Sequence, residues 1–369
     1  MSDSPVSPDV LRVYDSVRTT HLTLLETMVP GHLLYRDKMY DYEEPPNGTV
    51  SAERSGLLRT VRTLLSTNAH FVELNEPLMI RVWPSLVPQT LALLFARYVL
   101  RRHFTVTTYV IENNPPGPAV SSFLHVPQWA GSMIARAASR VLLAPIDRIG
   151  FGTDDAYRNL RDTAGPTIDR KDVKVRLELP NPCPCVGEHP GTGKAAPVLL
   201  FVGELSARKG VPELMLLWDN ISENDSRVRQ LVVLGKGPLE AEVTAWATGR
   251  EDIELKIDPP REVIHRHLRE ATVQILLSQS NPRWREQIGL PNMEGLAHGC
   301  VVASTDQTGY AGWLKEHGHI VVEQLFDVDA LANAVVSALH GRSRVTEITA
   351  SLPASAVRTD FDTWMNTAW

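Results

Sequence analysis

Short apolar runs alternate with stretches of helical periodicity along most of this chain. Leu11–Tyr14, His70–Asn75 and Thr105–Ile111 are predicted strands, the last (TVTTYVI) rich in β-branched and aromatic residues. Gly56–Thr67 predicts an amphipathic helix, Gln89–Arg102 a helix apolar on most faces, and Gly131–Ser139 a third. Arg140–Ala144 predicts a buried strand, and Asp154–Arg161 a helix with Thr153 as its N-cap. Residues 180–196, PNPCPCVGEHPGTGKAA, are dense in proline and glycine and form the expected linker. Beyond it the rhythm restarts. Strands are predicted at Val198–Val202, Gln230–Leu234, Ile253–Ile257 and Val273–Leu277, and helices at Val211–Asn220, from Pro238, at Arg261–Glu270 and at Val328–Leu339. Continuous runs such as VLLFV and LVVL suit parallel strands covered on both faces. The alternation implies an α/β protein with parallel sheets, whose ligands would collect at the carboxyl ends of the strands.

The length of 369 residues exceeds one ordinary core, so two domains are expected. They are placed at 1–190 and 191–353, with a tail of about 354–369, carrying Phe361, Trp364 and Trp369, packing back on the first. A hydrophobic content of 43% and a charged content of 22% suit a soluble globular enzyme. The net charge of −6 argues against a nucleic-acid binder. No apolar run of about 18 residues predicts a membrane span, and MSDSPVSPDV lacks a signal-peptide core. Three cysteines, an odd and low count, suit a reducing cytoplasm. Cys183-Pro184-Cys185 reads as free thiols in the linker, because two thiolates without a second pair do not make a zinc site. His265 and His267, two apart on a helix, point in different directions. His298, His317 and His319 complete no ligand set, so no metal is expected.

The chemistry concentrates in REQIGLPNMEGLAHGCVVAST, residues 285–305. Glu286 and Glu294 flank Gly289-Leu290-Pro291. Glu294 is expected in the first turn of a helix whose apolar face is Met293, Leu296 and Ala297, with Gly299 closing it and Val301–Ala303 as the next strand. First-turn amides and the helix dipole favour an anion. Carboxylates accept from hydroxyls and repel phosphate, so the ligand should carry both groups. A second loop, Gly203-Glu204-Leu205-Ser206-Ala207-Arg208-Lys209-Gly210, follows the strand VLLFV and brings two cations suited to phosphate. Gly235-Lys236-Gly237-Pro238 reads as a tight turn into a helix that touches the ligand at most through Gly235. In the first half, Glu73, Asn75 and Glu76 end one strand, and Glu112, Asn113 and Asn114 end another. These are either active-site groups at strand ends or turn formers before Pro77 and Pro115.

Taken together, these residues resemble the GT-B retaining glycosyltransferases of the family 4 type (glycosyl transferases group 1). The resemblance is carried over about 197–325 by Glu286 and Glu294 with seven residues between them, Gly299, Lys209-Gly210 and Gly235-Lys236-Gly237-Pro238. It is fainter over 69–165, so the N-terminal domain is divergent. It implies a GT-B fold, two Rossmann-like domains with parallel sheets facing a central crevice. It also implies a metal-independent transferase without cofactor, moving a sugar from a UDP- or GDP-type sugar nucleotide. By the same resemblance Glu294 would bind ribose hydroxyls, and Glu286 the transferred sugar. Gly289, Leu290, Pro291 and Asn292 would approach sugar and diphosphate through the backbone, with Gly203, Glu204 and Gly235 nearby. Lys209, with Arg208, would neutralise the departing diphosphate, making Glu286, Lys209 and Arg208 the catalytic set. Glu76, Glu112 and Asn113 would face an acceptor whose identity the sequence leaves open: glycan, lipid, protein or small molecule. Arg97, Arg101, Arg102 and His103 with Leu94 and Phe95 offer either a weak membrane contact or a solvated helix end. Two departures from the family pattern stand out. Glu204 occupies a position usually held by Arg, and no His follows TVTTYVI. They motivate an alternative, a catalytically inactive sugar-nucleotide-binding or activator protein.

Overall fold

The computed structural model describes residues 9–39, 42, 50–187, 197–224 and 230–368. The chain divides into two compact units, Met1–Leu177 with Val357–Trp369, and Glu178–Ala356. Unit 2 therefore begins ahead of residue 191, within the proline-rich stretch. One cause is the Cys183 N–H, which donates to the Ala297 carbonyl at 2.8 Å. Residues 188–196 of the expected linker lie outside the described residues.

Among its described residues unit 1 holds seven strands: β1 (Val10–Val17), β2 (Gly31–Lys38), β3 (Ala52–Arg54), β4 (Phe71–Leu74), β5 (Thr105–Val110), β6 (Arg148–Phe151) and β7 (Asp172–Val175). All pairings are parallel, in the order β3-β2-β1-β4-β5-β6-β7. The order reverses between β1 and β4, which makes a topological switch point there. Val13, Leu74, Val106 and Ile149 form the centre of the core with Leu86 and Leu93 from helix Trp83–Tyr98 and Leu142 and Leu143 from helix Gln128–Leu143.

Three expectations fail in unit 1. Arg140–Ala144 is not a strand: helix Gln128–Leu143 continues through it, burying Gly131, Ala135, Ser139, Leu142 and Leu143 while Val141 stays exposed. That spacing is one helix face, and a short apolar run cannot be told from a strand by periodicity alone. The helix expected from Gln89 starts at Trp83, because Pro84 in its first turn costs no hydrogen bond. It ends at Tyr98 rather than Arg102, and Arg101 adopts a left-handed φ of 58°.

The C-terminal helix Val357–Met365 is fixed to unit 1 by a buried ionic network. Arg12, in the middle of β1, donates to Glu73 (3.2 Å), Asp362 (2.7 Å) and the Val29 carbonyl (2.9 Å). Arg358 donates to Glu73 at 2.5 Å and lies over the Tyr109 ring. Tyr14 and Asn366 donate to the same Glu73 carboxylate. Arg12 and Glu73 are each 1% exposed and Asp362 0%.

Unit 2 holds β8 (Val198–Val202), β9 (Gln230–Gly235), β10 (Ile253–Ile257), β11 (Val273–Leu276), β12 (Val301–Thr305) and β13 (Ile320–Val322). They pair in parallel in the order β10-β9-β8-β11-β12-β13, with the reversal between β8 and β11. All five residues of β8 and of β12 are buried, as their apolar runs predict. The loops after β8 and β11 meet: Gly210 has φ 74°, and a Cβ there would stand 2.0 Å from the Leu277 carbonyl oxygen. Gly210→Ala should therefore destabilise the chain by at least the about 1–3 kcal/mol typical of overpacking, read as a lowered midpoint in denaturant unfolding. No described helix is long and apolar enough to cross a membrane.

Candidate functional site

The switch point of unit 2 brings its chemistry-bearing loops together. The segment after β8 forms one 3-10 turn, Ala207–Lys209, and Gln279 N–H, after β11, donates to the Arg208 carbonyl at 2.9 Å. The loop after β9 joins through Leu205 N–H to the Lys236 carbonyl, 3.0 Å, and Leu239 N–H to the Leu205 carbonyl, 2.9 Å. The loop after β12 joins through Thr305 Oγ1, which donates to the Ser278 carbonyl, and Gly309 N–H, which donates to the Gln287 carbonyl. Backbone bonds therefore hold the site residues on fixed elements.

At the centre, Lys209 Nζ lies 2.5 Å from Glu286 Oε2. The same oxygen accepts from Ser278 Oγ at 2.8 Å. The side chains of Lys209 and Glu286 are 12% and 10% exposed, so each ion has lost most of its water and is compensated by the other. Glu204, where the resemblance leads one to expect arginine, is neutralised locally. Arg208 pairs with it at 2.5 Å and Ser206 Oγ donates to it at 2.9 Å. Arg208 also lies over the Trp284 ring at 4.8 Å, with Lys209 at 5.4 Å, both within cation–π range. Ser278 and Trp284 were not singled out in the sequence. A serine after a strand and a tryptophan two residues before Glu286 carry no spacing signal of their own.

Gly289 caps helix Leu290–Ala297 with φ 51° and ψ 71°, a conformation that favours glycine. Glu294 is then the fifth helical residue and not in the first turn, because Pro291 is accommodated inside that turn and the helix starts earlier. Its carboxylate is paired with Arg261 at 2.5 Å. The amide cradle is also smaller than the sequence suggests. Pro291 has no N–H, and the amides of Asn292 and Met293 point to the Gly289 carbonyl. Gly289 and Leu290 remain as the donors of this turn. Asn292 is fully buried, its side-chain amide donating to Ser304 Oγ at 3.2 Å and its N–H to the Gly289 carbonyl, so it offers the site no free backbone donor. Gly203 and Gly235 sit side by side, since a Cβ on Gly235 would overlap the Gly203 carbonyl oxygen.

The acceptor-side candidates fall at the carboxyl ends of β4 and β5 in unit 1. Glu76 Oε2 accepts from the amides of Ile111 and Glu112, at 2.9 and 2.8 Å. Burial, reinforced by the charge of Glu112, pushes its carboxyl up to about 8. A folded-state value above the unfolded one makes the protein lose stability as pH rises from about 4.3 to about 8. Glu76→Gln keeps an acceptor for both amides and should flatten that slope, melting higher than the wild type at pH 9. Asn113 is fully buried, accepting from Thr153 Oγ1 at 2.6 Å and, through its carbonyl, from Asn159. In the basic patch, Arg97 is spent on Asp147 and the Pro145 and Phe104 carbonyls, and Arg102 on the carbonyls of Ser66 and Thr67.

Elsewhere in unit 2 the structure gathers what the sequence keeps apart. Ligand atoms of Cys183, Cys185, His265 and His298 all lie within 4.8 Å of one another. The linker cysteines are therefore not isolated thiols, and two of the dismissed histidines meet beside them. His317 stacks on Trp313, and His319 Nδ1 faces the Val302 amide.

The whole chain resembles known structures at low identity. The Anabaena HepE structure in complex with UDP superposes with a TM-score of 0.64 at 13% identity, covering 97% of this chain and 95% of that one. The lipopolysaccharide outer core galactosyltransferase WaaB, in its apo form, gives 0.61 at 13% identity over 97% and 98%. A trehalose-6-phosphate protein from E. coli, bound with UDP-2-fluoro glucose, gives 0.62 at 13% over 96% and 97%. No significant match is found among curated protein sequences. These likenesses establish the fold, two parallel-sheet α/β units of the GT-B type. Residues 188–351 match the family described as Glycosyl transferases group 1, so unit 2 carries a glycosyl transferases group 1 domain on a chain of GT-B fold.

Proposed function

We propose that this protein is a retaining, metal-independent glycosyltransferase of the family 4 type that takes its sugar from a nucleotide-diphosphate donor. The observation that carries the reading is the Lys209–Glu286 pair, held with Ser278 at the β8/β11 switch point inside the matched segment. The similar HepE and E. coli proteins were solved with UDP and a UDP-sugar analogue, which favours a uridine nucleotide. Lys209 would leave Glu286 for the diphosphate as the glycosidic bond breaks, placing positive charge where negative charge develops. Glu286 would then be available to the sugar hydroxyls. Glu294 would release Arg261 and accept from the ribose. Arg208, held by Glu204, supports the field at the site and does not itself grip phosphate. No divalent cation enters this scheme, so added Mg²⁺ should not raise the rate.

On the acceptor side we assign Glu76 and Glu112 but not Asn113, whose side chain is already engaged. A weak membrane contact would use exposed Leu91, Phe95 and Tyr98 beside Arg101. Donor sugars of both nucleotide types, incubated with the protein and a mixture of lipid, glycan and small-molecule acceptors, test the reading through product NMR. A product that keeps the donor's anomeric configuration supports it. An inverted product, or nucleotide sugar left intact with every acceptor, contradicts it.

A further inference from the structure

We propose that Cys183, Cys185, His265 and His298 form a Cys2His2 site for a zinc-type divalent cation, which fastens the start of unit 2 to two of its helices. The proposal stands apart from the donor reading, since none of the four residues belongs to the Lys209–Glu286 cluster.

The donor set is the first argument. Two thiolates and two imidazoles are the ligands of closed, four-coordinate structural zinc. Their ligand atoms lie within 4.8 Å of one another, a spacing that side-chain rotation closes onto one ion. Cys183 Sγ is 3.3 Å from His265 Nε2 and 2.7 Å from Cys185 Sγ, and the two histidine rings meet edge to face at 4.6 Å. An ion at about 2.3 Å from each sulfur would spread the sulfurs to roughly 3.8 Å.

The orientation of His298 is the second argument. Its Nδ1 lies 2.7 Å from the Glu294 carbonyl oxygen, which can only accept, so Nδ1 carries the hydrogen. The ligand nitrogen is then Nε2. An outer hydrogen bond that fixes the tautomer in this way accompanies metal-bound histidines.

The location is the third. His265 lies in helix Arg261–Glu270, which also carries Arg261. His298 ends helix Leu290–Ala297, which carries Glu294. Cys183 is already bonded to that helix through its N–H and the Ala297 carbonyl. One ion would tie three segments that share no covalent link nearer than tens of residues. The ligand spacings of 2, 80 and 33 residues match no short zinc motif, which is why the linear sequence conceals the site.

The test uses the full chain, reduced and stripped of metal, then titrated with Co²⁺ and Zn²⁺. The expected result is one ion per chain. The Co²⁺ form should show tetrahedral visible bands together with thiolate-to-cobalt charge transfer, and Zn²⁺ should displace it and raise the melting temperature. Cys183→Ser with Cys185→Ser should abolish the charge-transfer band. His298→Gln should weaken Co²⁺ binding by more than about 100-fold, the upper end of what losing an outer partner costs. Should the double variant fold poorly, the wild-type spectrum still decides. A reduced wild-type chain that shows no thiolate–cobalt band overturns the proposal. So does a chain whose two cysteines serve only as a disulfide and bind no metal once reduced.

Discussion

Lys209→Ala should lower the rate of sugar transfer by about 10²–10³, the scale of losing one preorganised charge or donor at a transition state. The loss should fall mainly on kcat. Lys209 pairs with Glu286 in the structure at hand, and its proposed work begins when the diphosphate departs. Truncation also takes the counter-charge away from the Glu286 carboxylate, which still accepts from the Ser278 hydroxyl. A modest drop in melting temperature should accompany the kinetic effect. Glu286→Gln keeps an acceptor for Ser278 but leaves the largely buried Lys209 ammonium without its counter-charge, so it should lower both the transfer rate and the melting temperature. Steady-state kinetics with a saturating acceptor would show the loss in kcat. Unchanged kcat in Lys209→Ala would remove the diphosphate role from this residue.

Glu73→Ala should be the most destabilising single change in unit 1. It strips the buried Arg358 guanidinium of its ion partner, leaves buried Arg12 with Asp362 and the Val29 carbonyl, and deprives Tyr14 and Asn366 of a shared acceptor. Removing one partner of a buried ion network costs about 3–5 kcal/mol, or roughly 6–20 °C in melting temperature for a domain of this size. The C-terminal helix Val357–Met365 should loosen first, because its Arg358, and Asn366 just beyond it, both donate to Glu73. Hydrogen exchange on that helix would register the change before global unfolding. The pH dependence has a definite sign. Burial alone would raise the Glu73 carboxyl, but the guanidinium groups of Arg358 and Arg12 outweigh it and hold it below the usual carboxylate range. Its stabilisation is thus complete above the ordinary carboxylate pKa of about 4.3. It is lost as pH falls through the lower folded-state value. Acid unfolding of the wild type should be steep there, and Glu73→Ala should lack that component.

Physical reasons divide what the sequence made legible from what it hid. The central strands of unit 2 were readable because burial on both faces demands unbroken apolar runs, as in VLLFV of β8. The helix Arg261–Glu270 was readable to the residue. The edges of the unit 1 sheet were not. β3 and β7 are short and largely exposed, so neither apolar content nor alternation marks them. β2 ends in the polar Arg36, Asp37 and Lys38, which disguise its buried centre. The RVLLA segment misled because five apolar-rich residues suit either a strand or the last turn of a buried helix.

The site shows the same division. Lys209 and Glu286 were both readable as candidates from their loops, but their direct pairing was not, nor was the capture of Arg208 by Glu204. Side-chain pairs across loops depend on register between strands that sequence spacing does not encode. The Arg12–Glu73–Arg358 network joins residues 61 and 285 positions apart, and Arg12 looks out of place inside an apolar strand until its partners are known. The contacts of Asn113 were equally hidden: its side chain and carbonyl accept from Thr153 and Asn159, at the cap and within helix Asp154–Ala164, about 40 residues on.

Binding of a sugar nucleotide at the β8/β11 switch point is the claim on which the rest depends. Calorimetric titration of the wild type, Glu294→Ala and Lys209→Ala with UDP- and GDP-sugars tests it most directly. The account predicts saturable one-site binding of at least one nucleotide sugar to the wild type, weakened by about tenfold or more, or about 1.4 kcal/mol, in Glu294→Ala. Lys209→Ala should weaken the nucleoside diphosphate more than the nucleoside. Binding of every nucleotide sugar that is absent, or that is the same in all three proteins, would contradict it.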